Sequence, residues 1–250
     1  MTESRRSRKI LTNRRGGFSL PPYDSFNLGD HVGDDPSAVE RNRQRLADSL
    51  GIDRARFVYM EQLHTNTVTV VNEPQTEPVS ATDAIVTTTP GLALVVLVAD
   101  CVPVLLSDDY AGVAAAVHAG RTGARNGIVR KSVEKMIELG ATPENIHALL
   151  GAAASGHNYE VPESMADDVD KHLPGAKMRT KQGTAGVDVR AGLMRQLYDL
   201  GVRHVNVEPS CTIDNEQYFS YRREGKTGRQ AGIVILPEHC LLYTSPSPRD

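Results

Sequence analysis

Along the chain, short apolar blocks alternate with turn residues, and a few longer windows carry helical spacing. After turns at Gly16-Gly17-Phe18-Ser19 and Pro21-Pro22, Asp35 reads as an N-cap, with Pro36 opening a helix that reaches about Leu50. Phe57 to Gln62 reads as a strand that delivers His64 into a loop; Thr67 to Val71 and Asp83 to Thr87 read as further strands. The strongest strand signal runs from Leu92 to Leu106, with Pro103 as its expected break. Gly112 to His118 is a strand of small and apolar residues. Gly120 and Gly123 bracket a turn into a helix from about Ala124 to Leu139, where Ile128, Val129, Val133, Met136 and Ile137 keep a helical period. Beyond it, strands are expected over Ile146–Leu150, His204–Val207 and Gly232–Leu236. Helices are expected over Pro162–His172 and Val189–Leu200, the latter stopped by Gly201.

Several strands follow one another with no helix between them. The pattern therefore predicts an α+β fold: one domain over residues 10–237, with packed mixed β-sheets forming a sandwich-like core and helices outside. No repeat or linker divides it. Residues 1–9 are basic and lack aromatics, and together with residues 238–250 they are expected to be disordered or non-native tails.

Composition narrows the function classes. The 250 residues are 40% hydrophobic and 24% charged, ordinary for a globular domain. A net charge of −3 gives no field favouring nucleic acid or an anionic membrane, and no run of about 18 apolar residues is present to span a bilayer. Three cysteines without dense spacing argue against a disulfide framework and for a reducing compartment, so a cytoplasmic protein, most simply a monomer, is expected.

The candidate chemistry centres on one thiol flanked by two histidines: His64 in Gln62-Leu63-His64, Cys101 in Ala99-Asp100-Cys101-Val102-Pro103, and His118 in Val117-His118-Ala119-Gly120. Two imidazoles and a thiolate form a three-ligand zinc site that leaves one tetrahedral position for water or substrate. Spacing alone does not select these two from eight histidines, and a cysteine in such a run also reads as a small core hydrophobe. Asp100 shifts that balance, because a carboxylate inside an apolar run is costly unless it is paired or functional.

The same strings, with Arg121-Thr122-Gly123 after Gly120, resemble the family long labelled polyphenol oxidase or laccase-domain (YfiH-like) proteins. Its members are now described as purine nucleoside phosphorylases with adenosine deaminase activity. Arg15-Gly16-Gly17-Phe18-Ser19, Asn27-Leu28-Gly29, Val32-Gly33-Asp34-Asp35-Pro36, Tyr159-Glu160-Val161, Cys211-Thr212, Phe219-Ser220-Tyr221-Arg222-Arg223-Glu224-Gly225 and Thr227-Gly228-Arg229 agree with it, so the match covers about Thr12 to Leu236. The resemblance implies a fold similar to the catalytic domain of the cytotoxic necrotizing factor toxins. It implies a catalytic metal, zinc or sometimes copper, on His64, Cys101 and His118. It departs where the family's commoner His-Ala-Gly-Trp-Arg-Gly becomes His118-Ala119-Gly120-Arg121-Thr122-Gly123.

On that basis the expected substrates are purine nucleosides (adenosine, inosine, methylthioadenosine) and phosphate. The expected catalytic residues are His64, Cys101, His118 and Asp100. Ser19 and Asn27 are expected at the nucleoside, and Arg121, Arg222 and Arg223 at the phosphate, where guanidinium forks and the turn before a helix suit an anion. Zinc so held polarises a water and lowers its pKa toward neutrality, which suits attack at C6 of adenosine. Two alternatives stay open. One is a metal-free thiol hydrolase or deamidase with Cys101 as nucleophile and His118 as base. The other is a copper phenol oxidase, reduced to adventitious one-site chemistry because the chain has no His-x-His string.

Overall fold

Hydrophobic alternation resolves into two stacked β-sheets with helices on both outer faces. The computed structural model describes residues 6–238. In chain order the elements are β1 (Arg8–Leu11), α1 (Pro36–Leu50), β2 (Phe57–Val58), β3 (Val68–Val70), β4 (Ala84–Thr87), β5 (Ala93–Val98), β6 (Val102–Asp108) and β7 (Val113–Ala119), then α2 (Arg121–Arg125), α3 (Ile128–Glu138), β8 (His147–Leu150), α4 (Glu163–His172), β9 (Lys177–Arg179) and β10 (Ala185–Val187), and finally α5 (Val189–Asp199), β11 (His204–Val207), α6 (Tyr221–Glu224) and β12 (Gln230–Ile235).

A four-stranded sheet runs β1-β12-β5-β2 and a six-stranded sheet runs β11-β8-β6-β7-β4-β3; β9 and β10 form a separate hairpin. Both large sheets mix parallel and antiparallel pairs. The period of two decides what each strand buries. In β5, Ala93, Val95 and Leu97 pack with Leu46 and Ala47 of α1. Leu94, Val96 and Val98 point the other way and meet Leu105 of β6 and Ala114 and Ala116 of β7 between the sheets. The far face of the six-stranded sheet, with Val104, Leu106, Ala115 and Val117, packs on α3, α4 and α5 through Val133, Met136, Val169, Leu193 and Leu197. Four layers result: α1, small sheet, large sheet, helices. Among the described residues no helix is long and apolar enough to cross a membrane.

Asp35 caps α1 through its carboxylate on the Ser37 N–H, with Pro36 in the first turn, as the sequence predicts. Three expectations need correction. The Leu92–Leu106 run is not one strand interrupted at Pro103: it is β5 in one sheet and β6 in the other, and the chain crosses between them at residues 99–101. Asp100 makes that turn with a φ of 94°, while Pro103 sits inside β6. Its carbonyl accepts from the Gly151 N–H just past β8; the reciprocal bond to the Gly151 carbonyl is the one proline cannot give, and that carbonyl accepts instead from the Arg190 guanidinium at 3.4 Å. The expected helix from Ala124 to Leu139 is two helices, broken at Gly127, whose φ is 82°.

Finally, Arg8 and Lys9 belong to the edge strand β1, paired with β12, and not to a tail. A charged edge strand is a usual way to guard a sheet. Here Lys9 places its ammonium on the hydroxyls of Ser7 and Ser107. Of the rest of the expected tails, residues 1–5 and 239–250 lie outside the described residues.

Candidate metal centre and the cleft beside it

Three chain segments meet at one end of the sandwich: the loop after β2, the β5–β6 crossing and the end of β7. Asp83 organises two of them. It is fully buried at the head of β4. One carboxylate oxygen accepts the Nδ1–H of His118 at 2.7 Å and the backbone N–H of His64 at 3.0 Å. The other accepts the N–H groups of Leu63 (3.2 Å) and Thr65 (2.6 Å) and the Thr65 hydroxyl (2.7 Å). With Nδ1 committed to Asp83, His118 has Nε2 left for a ligand, the usual arrangement behind a metal-binding imidazole. His64 itself takes a φ of 60°. The Gln62 side chain sews the same loop to β5, accepting from the Leu97 N–H at 2.9 Å and donating to the Leu97 carbonyl at 2.7 Å.

The crossing that carries Cys101 is held by Asp100. Its carboxylate accepts the Thr212 hydroxyl and the Arg222 N–H, each at 2.6 Å, and its carbonyl accepts the Ala154 N–H at 2.9 Å. The result is one cluster in which ligand atoms of His64, Cys101 and His118 all lie within 4.8 Å of one another. The Cys101 sulfur is 3.7 Å from His64 Nε2, and the two imidazoles meet edge-on with centroids 4.7 Å apart. Zinc–nitrogen and zinc–sulfur bond lengths put the edges of a tetrahedral site at roughly 3.3–3.6 Å; the His64–Cys101 separation is already close to that, and the others, within 4.8 Å, shorten when the cluster closes on an ion. Gly120 keeps that space clear: a Cβ there would lie 2.7 Å from His64 Cδ2 and 3.0 Å from the Cys101 sulfur. Two nitrogens and one sulfur suit zinc or copper. By donor type, spacing and cleared space, the residues fit a bound ion.

The electrostatics agree. Burial pushes the Cys101 thiol up, but the neighbouring His118 and His64 outweigh it and bring it down to about 6. Burial pushes His118 down, yet the Cys101 sulfur and the Asp83 carboxylate raise it to about 9. Asp83 is likewise pushed up by burial and pulled to about 2 by hydrogen bonds from His118 and Thr65. Both directions favour a charged sulfur–imidazole pair, with the Asp83 carboxylate fixed behind it.

His64, Cys101 and His118 line a cleft of about 560 Å³, within the size range of small-molecule sites. Asp100, Tyr159, Tyr221 and Arg222 line it with them. Arg222 lies over the Tyr159 ring at 4.7 Å. Arg121 opens α2 and lines a much smaller adjoining cavity with Cys101. Arg223, one residue from Arg222, is committed elsewhere: its guanidinium donates to the carbonyls of Thr212, Ile213, Asn215 and Tyr218 and pairs with Glu224. Ser19 and Asn27 are buried away from the cleft lining. The Ser19 hydroxyl accepts from Asn42, and Asn27 bridges Gly29, Asp34 and Arg229.

Asp83, Gln62, Arg229 and His31 are among the site residues that escaped the sequence reading. Asp83 carries the same signal as Asp100, a carboxylate against an apolar run. Gln62 and Arg229 stand inside quoted motifs. His31, which lines the cleft, had no signal beyond its type.

A family model described as multi-copper polyphenol oxidoreductase laccase matches residues 8–237. A purine nucleoside phosphorylase of Corynebacterium glutamicum is 65% identical over 233 residues, covering 92% of this chain and 95% of that one. A purine nucleoside phosphorylase of Mycobacterium bovis is 53% identical over 231 residues, 92% of each. Among solved structures, YlmD from Geobacillus stearothermophilus superposes with a TM-score of 0.86 at 31% identity, covering 93% of this chain and 92% of that one.

Proposed function

The chain belongs to the family described as multi-copper polyphenol oxidoreductase laccase, and from that premise we propose that it is a purine nucleoside phosphorylase that also deaminates adenosine, with both activities at the His64–Cys101–His118 centre. The observation that carries this reading is the likeness, over nearly the full length of both chains, to a protein named as a purine nucleoside phosphorylase. The cleft supports it, since its volume suits a nucleoside and its lining joins the ligand cluster to a cationic side chain. The family's printed description is not the activity proposed: among the described residues there is one cluster of three ligands, which does not make a multicopper centre.

Zinc, or copper in its place, held by His64, Cys101 and His118 would supply a Lewis acid that polarises an oxygen in the open position. In phosphorolysis a phosphate oxygen bonds to C1′ of the ribose, the C1′–N9 bond breaks, and its electron pair leaves with the purine, which takes up a proton. In deamination a water oxygen bonds to C6 and the amino group leaves as ammonia. The chain's own residues hold the frame for both. Asp83 fixes the His118 tautomer and the His64 loop. Asp100 has both carboxylate oxygens engaged by Thr212 and Arg222, so its part is to position Cys101 and not to carry a proton. Arg222 presents positive charge to the cleft. On this reading the protein works in the cytoplasm, as a monomer, on free nucleosides.

The test is to incubate metal-analysed protein with adenosine and with inosine, each with and without phosphate. Ribose 1-phosphate that needs phosphate establishes the phosphorylase, and inosine from adenosine without phosphate establishes the deaminase. Both should vanish in His64→Ala. Absence of both products from the metal-loaded wild type overturns the reading.

One observation favours a second reading. Asp83, His118 and Cys101 stand in the order acid, imidazole, thiolate, the arrangement of a thiol hydrolase. A purified protein that is free of metal, active on an amide or ester, and inactivated by alkylation at Cys101 would establish it instead.

A further inference from the structure

The cleft contains a cation, Arg229, with no carboxylate among the described residues within ion-pair distance. Arg229 enters from the segment before β12, and its position is set at three points. Its backbone N–H donates to Asn27 Oδ1 at 2.8 Å, its stem lies against Gly29, and its Nη1 donates to the carbonyls of Thr227 (3.1 Å) and Gly228 (2.9 Å). A Cβ on Gly29 would lie 2.8 Å from Arg229 Cγ and 3.4 Å from His31 Cε1, so the glycine makes room for both side chains. Among the described residues, Nε and Nη2 have no hydrogen-bond partner and no carboxylate is within ion-pair distance. Yet Arg229 lines the cleft with Cys101, His31 and Arg222.

An unanswered guanidinium in a partly desolvated place is costly and calls for an anion. Burial pushes its pKa down, and the nearest negative groups, Cys101 and Asp100, only partly restore it. Both of those are committed, the sulfur to the ligand cluster and the carboxylate to Thr212 and Arg222. We propose that Arg229 is the oxyanion-binding residue of this cleft and receives the phosphate co-substrate on its free edge, with Arg222 as a second cation; this rests on the phosphorylase reading. A planar guanidinium offers two parallel N–H groups to a tetrahedral oxyanion, which an ammonium does not. Asn27, expected at the nucleoside, acts instead by holding the Arg229 backbone in place. Arg223 is withdrawn from the phosphate by its four carbonyl partners.

Inorganic phosphate is titrated calorimetrically into the metal-loaded wild type and into Arg229→Gln, Arg229→Lys, Arg121→Gln and, as a surface control, Arg125→Gln. KM values for phosphate and for inosine are measured alongside. Arg229→Gln is expected to weaken phosphate binding and raise KM for phosphate about 10- to 100-fold, with a much smaller rise for inosine. Arg229→Lys, keeping charge but not the fork, should recover part of the loss. Thermal melting checks that both variants are folded; should Arg229→Gln fail to fold, Arg229→Lys carries the test, with KM for phosphate raised and KM for inosine nearly constant. Phosphate affinity unchanged in a folded Arg229 variant overturns the assignment. So does a loss that follows Arg121→Gln instead, which would put the anion at the turn before α2, or a site that takes the phosphate of inosine 5′-monophosphate but not free phosphate. The two readings fail separately. A wild type that binds phosphate through Arg229 but forms no ribose 1-phosphate sinks the phosphorylase reading alone. Ribose 1-phosphate formed with an unchanged KM in Arg229→Gln sinks this inference alone.

Discussion

Asp83→Asn tests the frame behind the candidate metal centre. The substitution keeps volume but turns one carboxylate oxygen into an NH₂ donor. One oxygen now accepts from His118 and His64, the other from Leu63 and twice from Thr65. Whichever way the amide points, at least two donors lose their acceptor. Each orphaned buried donor costs about 1–3 kcal/mol. Water reaches the exposed side of the His64 loop, so the net loss at neutral pH is set at about 2–4 kcal/mol. A second route to the size uses the carboxyl's own titration. Its pKa is 3.8 when free and about 2 in the fold, which corresponds to about 2 kcal/mol of stability. These are two views of the same contacts and are not added. The sign follows from the depressed pKa: the contribution is present above pH 3.8 and is lost as pH falls through about 2. Guanidinium chloride melts of the metal-free proteins should therefore show a wide gap between wild type and variant at neutral pH that narrows sharply near pH 2. Zinc affinity, measured by chelator competition, should fall about 10- to 100-fold because the His118 tautomer is no longer enforced. A gap of equal size at both pH values, or an unchanged zinc affinity, refutes the reasoning.

Gly120→Ala should fold, since Gly120 has a φ of −72°, but its Cβ would press on His64 and Cys101. Metal affinity should drop at least about tenfold, on the scale of a disturbed ligand shell, as read by metal content after dialysis. In the metal-free protein, iodoacetamide should alkylate Cys101 with a pH midpoint near 6, reflecting the imidazoles beside it. Bound zinc should suppress the reaction, and a midpoint in the ordinary thiol range would contradict the site's electrostatics. Arg223→Ala leaves four backbone carbonyls short of a donor and should destabilise the protein by about 2–4 kcal/mol in chemical melts; a silent substitution would show that the 212–218 segment is held by other means.

The sequence carried more of the elements than of their assembly. The long apolar run over Leu92–Leu106 showed buried strand, but it carried no sign that it divides into two strands lying in different sheets. That depends on Asp100 adopting a positive φ, which the residue type permits without announcing. β1 and β9 were missed because short strands with charged side chains lack an apolar pattern to read, and β10 because three small residues are too few to show a period. At the site, the His64–Cys101–His118 cluster was legible through its local strings, while the residue chemistry alone left a core cysteine and a thiol hydrolase open. Direction was illegible: Arg222 and Arg223 are neighbours of one type, yet one faces the cleft and the other is spent on carbonyls. Asp83 and Asp100 show the same limit from the other side. Each carboxylate beside an apolar strand states a need for partners, but those partners come from segments far away in the chain, so the need is local and its answer is not. At Asp83 and Asp100 the fold supplies that answer from its own residues. At Arg229 the same need is stated by a cation, and among the described residues no carboxylate stands within ion-pair distance of it, which is why the missing partner is expected to be a ligand.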